Sequence, residues 1–408
     1  MDTIFTRLEL MLTTLTVFGA AASSPVLASY RGLCAAVAAG DVVRAAACYA
    51  GIYGGLREAG ASSLGEYLVD LVKYGESAYA KALVAGTADA AFDAAARRDI
   101  RILSEIATID CAAFKSRLAA LSDGSFGDVI NTLPEWDTKT ALDFDALRHF
   151  LSRHGAGVYA KYRALLWTED GVRPVTSPDP IRYEQMIGYE WQRRAVLDNT
   201  RALVEGRYVN NVLLYGDSGT GKSATVKSML NIPGFSALTL IEVPKRLISA
   251  LPELMSDLVW RPQKFILYID DLSFSEGDAD FSPLKIILEG SLGQRPQNVV
   301  LCVTSNRRQL VKRYFSDRDE ISGSETMEEK TSLADRFGIR LPFFALNQEE
   351  YLATAEALVR QAGIQLDGET LRQAALQWAL EHGARTPRTA RQFADDLAAK
   401  RPTAQQRL

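Results

Sequence analysis

Residues Gly216-Asp217-Ser218-Gly219-Thr220-Gly221-Lys222-Ser223 limit what this chain can be more than any other stretch. They meet every fixed position of the G-x-x-x-x-G-K-[ST] phosphate-binding pattern. The flanks supply the context that pattern requires. Val212-Leu213-Leu214-Tyr215 is a short apolar run that reads as a buried strand, and residues 224–230 continue as a helix. Between them, glycines let the backbone curl so that successive N–H groups point inward at a β-phosphate. The start of the following helix adds partial positive charge. The expected cradle is Gly216, Asp217, Ser218, Gly219, Thr220, Gly221, Lys222, Ser223 and Ala224. Within it Lys222 reaches the β- and γ-phosphates and the Ser223 hydroxyl is suited to Mg²⁺. A chance glycine-rich turn would not need both flanks, so the reading is a site for a nucleoside triphosphate.

The rest of the chain must fit around that unit. Its 408 residues suffice for two or three domains with real cores, and 47% hydrophobic with 24% charged residues is the balance of a soluble globular protein. A net charge of -4 and a pI near 5.7 give no overall attraction to nucleic acid or to an anionic membrane. Cys34, Cys48, Cys111 and Cys302 are far apart and form no C-x-x-C, so neither a disulfide scaffold nor a zinc site is expected, and a cytoplasmic location is. Residues 10–22 are apolar, but Asp2, Arg7 and Glu9 precede them where a signal peptide would be purely basic. The run is also too short to span a bilayer, and it is expected to be a buried helix.

Residues 1–170 read as an all-helical domain. Ser63-Leu64-Gly65-Glu66 fits a capping box, followed by one apolar face of Leu64, Tyr67, Leu68, Leu71 and Val72. Leu103, Ile106 and Ala107 repeat that spacing. His149 and His154 near Asp143 and Asp145 match no metal-ligand spacing. Pro174, Pro178 and Pro180 then mark residues 171–182 as an extended linker. After a helix ending near Leu203, strands alternate with helices, the signature of a parallel α/β sheet. Strands are expected at Val212-Leu213-Leu214-Tyr215, 238–243, 265–269, 299–304 and 339–344, with helices at 247–260 and 284–292. From Gln348 onward the pattern is helical, with Leu371, Ala374, Ala375, Trp378 and Ala379 on one face.

Further residues complete a phosphate-handling set. Asp270 and Asp271 end a buried strand, on the side where an open α/β sheet binds its ligand. Asp270 is expected to hold Mg²⁺ opposite Ser223, and Asp271 to polarise the attacking water. Asn306, at the end of the next strand, is placed to orient that water, although asparagine commonly opens turns for its own sake. Arg336 precedes the last strand, and a guanidinium suits transition-state charge. Thr386-Pro387-Arg388 reads as N-cap, N1 and N2 of a helix, presenting Arg388 to the γ-phosphate, with Arg385 as the runner-up.

In this order the phosphate loop, Asp270-Asp271, Thr304-Ser305-Asn306, Asp335-Arg336-Phe337-Gly338 and Thr386-Pro387-Arg388 resemble the successive motifs of AAA+ ATPases. By that resemblance they are Walker A, Walker B, sensor 1, arginine finger and sensor 2, and Ile187-Gly188 looks like the adenine-pocket segment. The likeness covers about residues 183–400. Val209-Asn210-Asn211-Val212-Leu213-Leu214-Tyr215-Gly216 and Ile269-Asp270-Asp271-Leu272-Ser273-Phe274 are similar to an uncharacterised, predicted bacterial AAA+ family of unknown function. Leu133-Pro134-Glu135-Trp136 and Tyr159-Ala160-Lys161-Tyr162-Arg163 extend that similarity toward the N-terminus. The resemblance implies a P-loop NTPase (AAA+) α/β core over 183–346, a C-terminal helical lid over 347–408 and an all-α N-terminal domain. It also implies ATP and Mg²⁺ as ligands.

Two departures qualify what the resemblance implies. Asp271 stands where many AAA+ proteins place Glu, as in the helicase-loader and replication-initiator branch, and Thr304-Ser305-Asn306-Arg307 is similar to that branch too. A shorter carboxylate sits about one methylene further from the water, which favours slow turnover. Pro244-Lys245-Arg246 stands where a threading motor would carry an aromatic-hydrophobic-glycine loop. The expectation is therefore a homo-oligomeric ATPase in which Arg336 serves a neighbouring subunit and the N-terminal domain engages a macromolecular partner that is remodelled or loaded. One rival is a switch or scaffold that binds ATP and hardly hydrolyses it. A DNA-linked loader is the other, favoured by Arg385, Arg388, Arg391 and Arg401 but not by the acidic pI or any DNA-binding signature.

Overall fold

The computed structural model describes residues 2–138, 142–272, 296–306 and 334–400, together with Leu284 and Leu288. It separates into two compact units. The first is Met1–Lys161 with Trp260–Pro262, and the second is Tyr162–Val259 with Gln263–Leu408.

The first unit is helical. Its helices begin where Ser24, Asp41, Ser63, Ser77, Asp89, Asp110 and Asp143 each accept a backbone N–H from the first turn, satisfying a donor the helix itself cannot. At Ser63 the box closes differently from expectation. Glu66 turns back to the N–H and hydroxyl of Ser62 rather than to Ser63 itself. Small residues let helices Pro25–Ala39 and Val42–Glu58 approach closely: a Cβ on Gly55 would lie 2.7 Å from Val26 Cγ2. At the centre, Phe114 packs against the rings of Phe5, Tyr30, Tyr49 and Trp136.

Residues 10–22 are not one helix. A helix ends at Thr13 and a 3-10 turn starts at Gly19, because the Thr13 and Thr14 hydroxyls bond back to Leu10 and Met11 carbonyls while Asp99 draws the following loop inward. The Asp99 carboxylate, 0% exposed, accepts the N–H groups of Thr16, Val17 and Phe18 at 2.8, 2.7 and 3.1 Å. Trp260–Pro262 joins this unit through Arg261, which reaches Glu76 and the Ala156 carbonyl, both at 3.0 Å, and stacks over Tyr159.

The second unit holds a sheet of seven strands: β1 Ala164–Thr168, β2 Gly171–Pro174, β3 Val212–Gly216, β4 Leu238–Glu242, β5 Lys264–Ile269, β6 Val299–Ser305 and β7 Ile339–Phe343. Their order is β2-β1-β4-β5-β6-β3-β7, parallel throughout except for the β1–β2 pair. β1 and β2 fall where the sequence was read as the end of the helical domain and an extended linker. They form an antiparallel hairpin whose Gly171 takes φ +108°, and β1 adds to the edge of β4. Strands of five and four residues at the end of the sheet carry too little pattern to stand out beside the prolines that follow.

The helix expected at 247–260 is shorter, Leu251–Leu258, after a 3-10 segment Lys245–Ala250. Pro252 has no N–H to offer the turn before it and so fixes the start. The helix expected at 284–292 lies outside the described residues, apart from Leu284 and Leu288. Helices Gln348–Gln361, Gly368–Glu381 and Pro387–Ala399 close the unit around their own core of Tyr351, Leu371, Ala375 and Phe393. Among the described residues no helix is long and apolar enough to cross a membrane.

Candidate nucleotide site

The site grows out of the sheet order. β3 lies between β6 and β7, while β4, the strand following it in sequence, lies beyond β5. The loop leaving β3 therefore opens at the carboxyl edge where neighbouring strands diverge, the usual ligand crevice of such a sheet. Gly216, Gly219 and Gly221 adopt φ of +129°, +76° and +91°, conformations that strain any residue with a Cβ. At Gly216 a Cβ would also fall 2.2 Å from the Phe343 carbonyl oxygen on β7. The neighbouring Asp217 ties the loop to β7 by its N–H to the Phe343 carbonyl and by its carboxylate to the Ala345 N–H. The helix Lys222–Ser228 then starts at Gly221 with no side-chain cap. No described residue accepts a hydrogen bond from the N–H groups of Gly219 to Lys222. Those donors, curled by left-handed glycines, make the cradle an anion requires.

Lys222 is 6% exposed, and its ammonium donates to the Gly216 and Asp217 carbonyls at 3.0 and 2.7 Å and to Asn306 Oδ1 at 2.9 Å. Burial lowers its pKa, partly opposed by Asp217, Asp271 and Asp270. Asn306 donates in turn to Asp271 Oδ1 at 2.6 Å, so a continuous path joins the phosphate loop to the end of β5. Asp271 has φ +47°, an uncommon conformation for aspartate, held by its N–H to the Thr304 hydroxyl and to Asp270 Oδ1. Beside it, Asp270 Oδ1 accepts the Ser223 hydroxyl at 2.8 Å and the Thr304 hydroxyl at 2.5 Å. Partial desolvation works against the Asp270 carboxylate, but the surrounding hydroxyls, Thr304 first, and the charge of Lys227 keep its pKa below the usual value. A pair of oxygens from Ser223 and Asp270 held this close suits a hard cation such as Mg²⁺.

These groups line one cleft of about 1070 Å³. Its far end is walled by Met186, Ile187, Gly188 and Tyr189, with Phe343, Thr354 and Leu358 opposite, and its lid side by Pro387, Arg388 and Arg391. The lid docks on the loop directly, the Arg388 N–H donating to the Gly219 carbonyl at 3.1 Å, and Thr386 caps its helix as the sequence indicates. The structure thus brings Lys222, Ser223, Asp270, Asp271, Asn306, Arg388, Ile187 and Gly188 to one cleft. Arg336 is not among the residues lining it. Sequence reasoning missed Arg193, a buried guanidinium that fixes the far wall through the Gly188 and Tyr183 carbonyls. Its signal was faint, one cationic residue on an otherwise ordinary helix, Glu190–Val204. Arg391, read as part of a basic cluster, also belongs to the cleft.

Residues 160–401 match a family described as "Protein of unknown function (DUF815)". No curated protein matches the chain. Among solved structures, the chain is similar to the Thermotoga maritima RuvB Holliday junction branch migration motor at 16% identity and a TM-score of 0.37, over 53% of this chain and 63% of that one. A single-residue variant of the same protein matches at 15% identity and 0.37, over 53% and 64%. The chain thus spans less than two thirds of either. The family match runs over more than half of the chain's length, and so this chain, with its phosphate loop on a parallel sheet and its helical C-terminal region, belongs to the DUF815 family.

Proposed function

We propose that the protein binds ATP with Mg²⁺ in this cleft and hydrolyses it, using the cycle to remodel or load a macromolecular partner engaged by the helical unit. The observation that carries the reading is the hydrogen-bonded path Lys222–Asn306–Asp271 alongside the Ser223–Asp270–Thr304 cluster, both facing one cleft. Lys222 and the loop N–H groups hold the β- and γ-phosphates. Asp271 accepts the proton of the attacking water, Asn306 orients that water, and Arg388 meets the γ-phosphate from the lid. Mg²⁺, held by Ser223 and Asp270, supplies charge neutralisation on the phosphate oxygens. Adenine lies against Ile187 and Gly188. Arg336, outside the cleft of its own chain, acts on the cleft of a second copy.

The test is ATP turnover per subunit across protein concentrations, with Arg336→Ala and Asp271→Asn. Specific activity that rises with concentration, and is lost in both variants while ATP still binds, is the expected result. A second reading, an ATP-dependent switch with little hydrolysis, is favoured by Asp271 itself, a short carboxylate already bonded to Asn306. Negligible turnover at every concentration, with binding abolished by Lys222→Ala, would select it and remove Arg336 from catalysis.

A further inference from the structure

Arg388 and Arg391 stand three residues apart on the helix Pro387–Ala399, so they share a face with Cβ atoms about 5–6 Å apart. Both line the cleft and both are exposed there. Neither guanidinium has an ion pair or hydrogen bond with a described residue. A partner on the same helix goes unused: Asp395 lies four residues beyond Arg391, the spacing at which Asp396 and Lys400 pair at 2.6 Å. Elsewhere in the lid Arg372 holds both Glu349 and Glu356. Arg388 also acts on Lys222, lowering its pKa by like-charge repulsion. Cations gathered along one cleft and left without carboxylates are arranged for a polyanion.

The lid fixes their order. Its three helices, Gln348–Gln361, Gly368–Glu381 and Pro387–Ala399, share one core and have short connections, so they run up, down and up. The first and third start together, the Leu346 N–H donating to the Arg385 carbonyl at 2.9 Å. Thr354, in the second turn of the first, faces Gly188: a Cβ there would lie 4.0 Å from its hydroxyl. Arg388 stays at the phosphate loop, its N–H on the Gly219 carbonyl, and Arg391 lies one turn further toward the Gly188 wall.

We propose that Arg391 is a second phosphate-binding arginine, meeting the α-phosphate while Arg388 meets the γ-phosphate. This rests on the ATP–Mg²⁺ reading above. The α-phosphate is common to ATP and ADP, so Arg391 holds the lid on substrate and product alike, whereas Arg388 favours the triphosphate. A guanidinium offers the paired donors that phosphate oxygens take, which an ammonium cannot reproduce.

The experiment titrates the natural chain, Arg391→Ala, Arg391→Lys and Arg388→Ala with ADP and with the non-hydrolysable analogue AMP-PNP, both with Mg²⁺, by calorimetry. Thermal unfolding without nucleotide is followed in parallel. Arg391→Ala is expected to weaken both ligands by the same factor, about tenfold, with Arg391→Lys between it and the natural chain. Arg388→Ala should weaken AMP-PNP more than ADP. Unfolding without nucleotide should not move in Arg391→Ala, because the side chain is exposed. Unchanged affinity for both ligands overturns the proposal, as does a loss confined to AMP-PNP. A lower unfolding temperature without nucleotide also overturns it, identifying a merely structural arginine. If instead Lys222→Ala binds both ligands as the natural chain does, the ATP–Mg²⁺ reading itself falls.

Discussion

Asp99 in the helical unit and Asp270 at the end of β5 are both carboxylates held by a ring of donors, and the donors differ in kind. Asp99 is fully enclosed, and most of its bonds come from the backbone of a single loop, Thr16 to Phe18, with Arg98 alongside. Asp270 opens on a cleft and is held mainly by hydroxyls, which can rotate and exchange one partner for another. The first arrangement closes a fold, because nothing is left to bind. The second leaves oxygens turned toward a ligand. The same contrast runs through the two units. In the helical unit the buried Ser63 and Asp99 are both satisfied internally. In the second unit Lys222, Thr220, Thr304 and Thr386 gather around the cleft.

Three substitutions sharpen that comparison. The largest effect is expected from Lys222→Ala, about 10²–10³-fold in turnover, read from steady-state ATP hydrolysis, because it removes the charge at the phosphates. Urea unfolding of the helical unit should be unchanged by it. Asp99→Ala should do the reverse: three N–H groups lose their acceptor, for about 3 kcal/mol of stability in the urea transition of that unit. Binding of an ATP analogue below the transition should stay as it was. If Asp99→Ala weakened nucleotide binding directly, the division between closing and ligand-facing carboxylates would fail. The smallest effect is Ser63→Ala, about 1 kcal/mol from a lost N-cap, seen as a modest shift of the same transition.

Much of the candidate site was legible because its parts are local. The phosphate loop, the acidic pair closing β5 and the Thr386-Pro387 helix start each draw meaning from adjacent residues, and each appears in the cleft where the pattern put it. Arg193 was not legible, since its role depends on carbonyls brought near only by the turn at Gly188 and Tyr189, whose φ values are +80° and +55°. The break after Thr13 was hidden for the same reason: the residue that makes the loop worthwhile, Asp99, is more than eighty positions away.

By itself, then, the sequence determined a phosphate loop on a parallel sheet, the strand ends that carry Asp270 and Asn306, and a helical domain before them. Periodicity and short motifs encode those things within a few residues. Only the tertiary structure decided that Trp260–Pro262 belongs with the helical unit, that β1 and β2 extend the sheet, and that Arg391 rather than Arg336 lines the cleft of its own chain. Each of those facts is a meeting of residues distant in sequence, fixed by how the elements pack rather than by what any one stretch prefers.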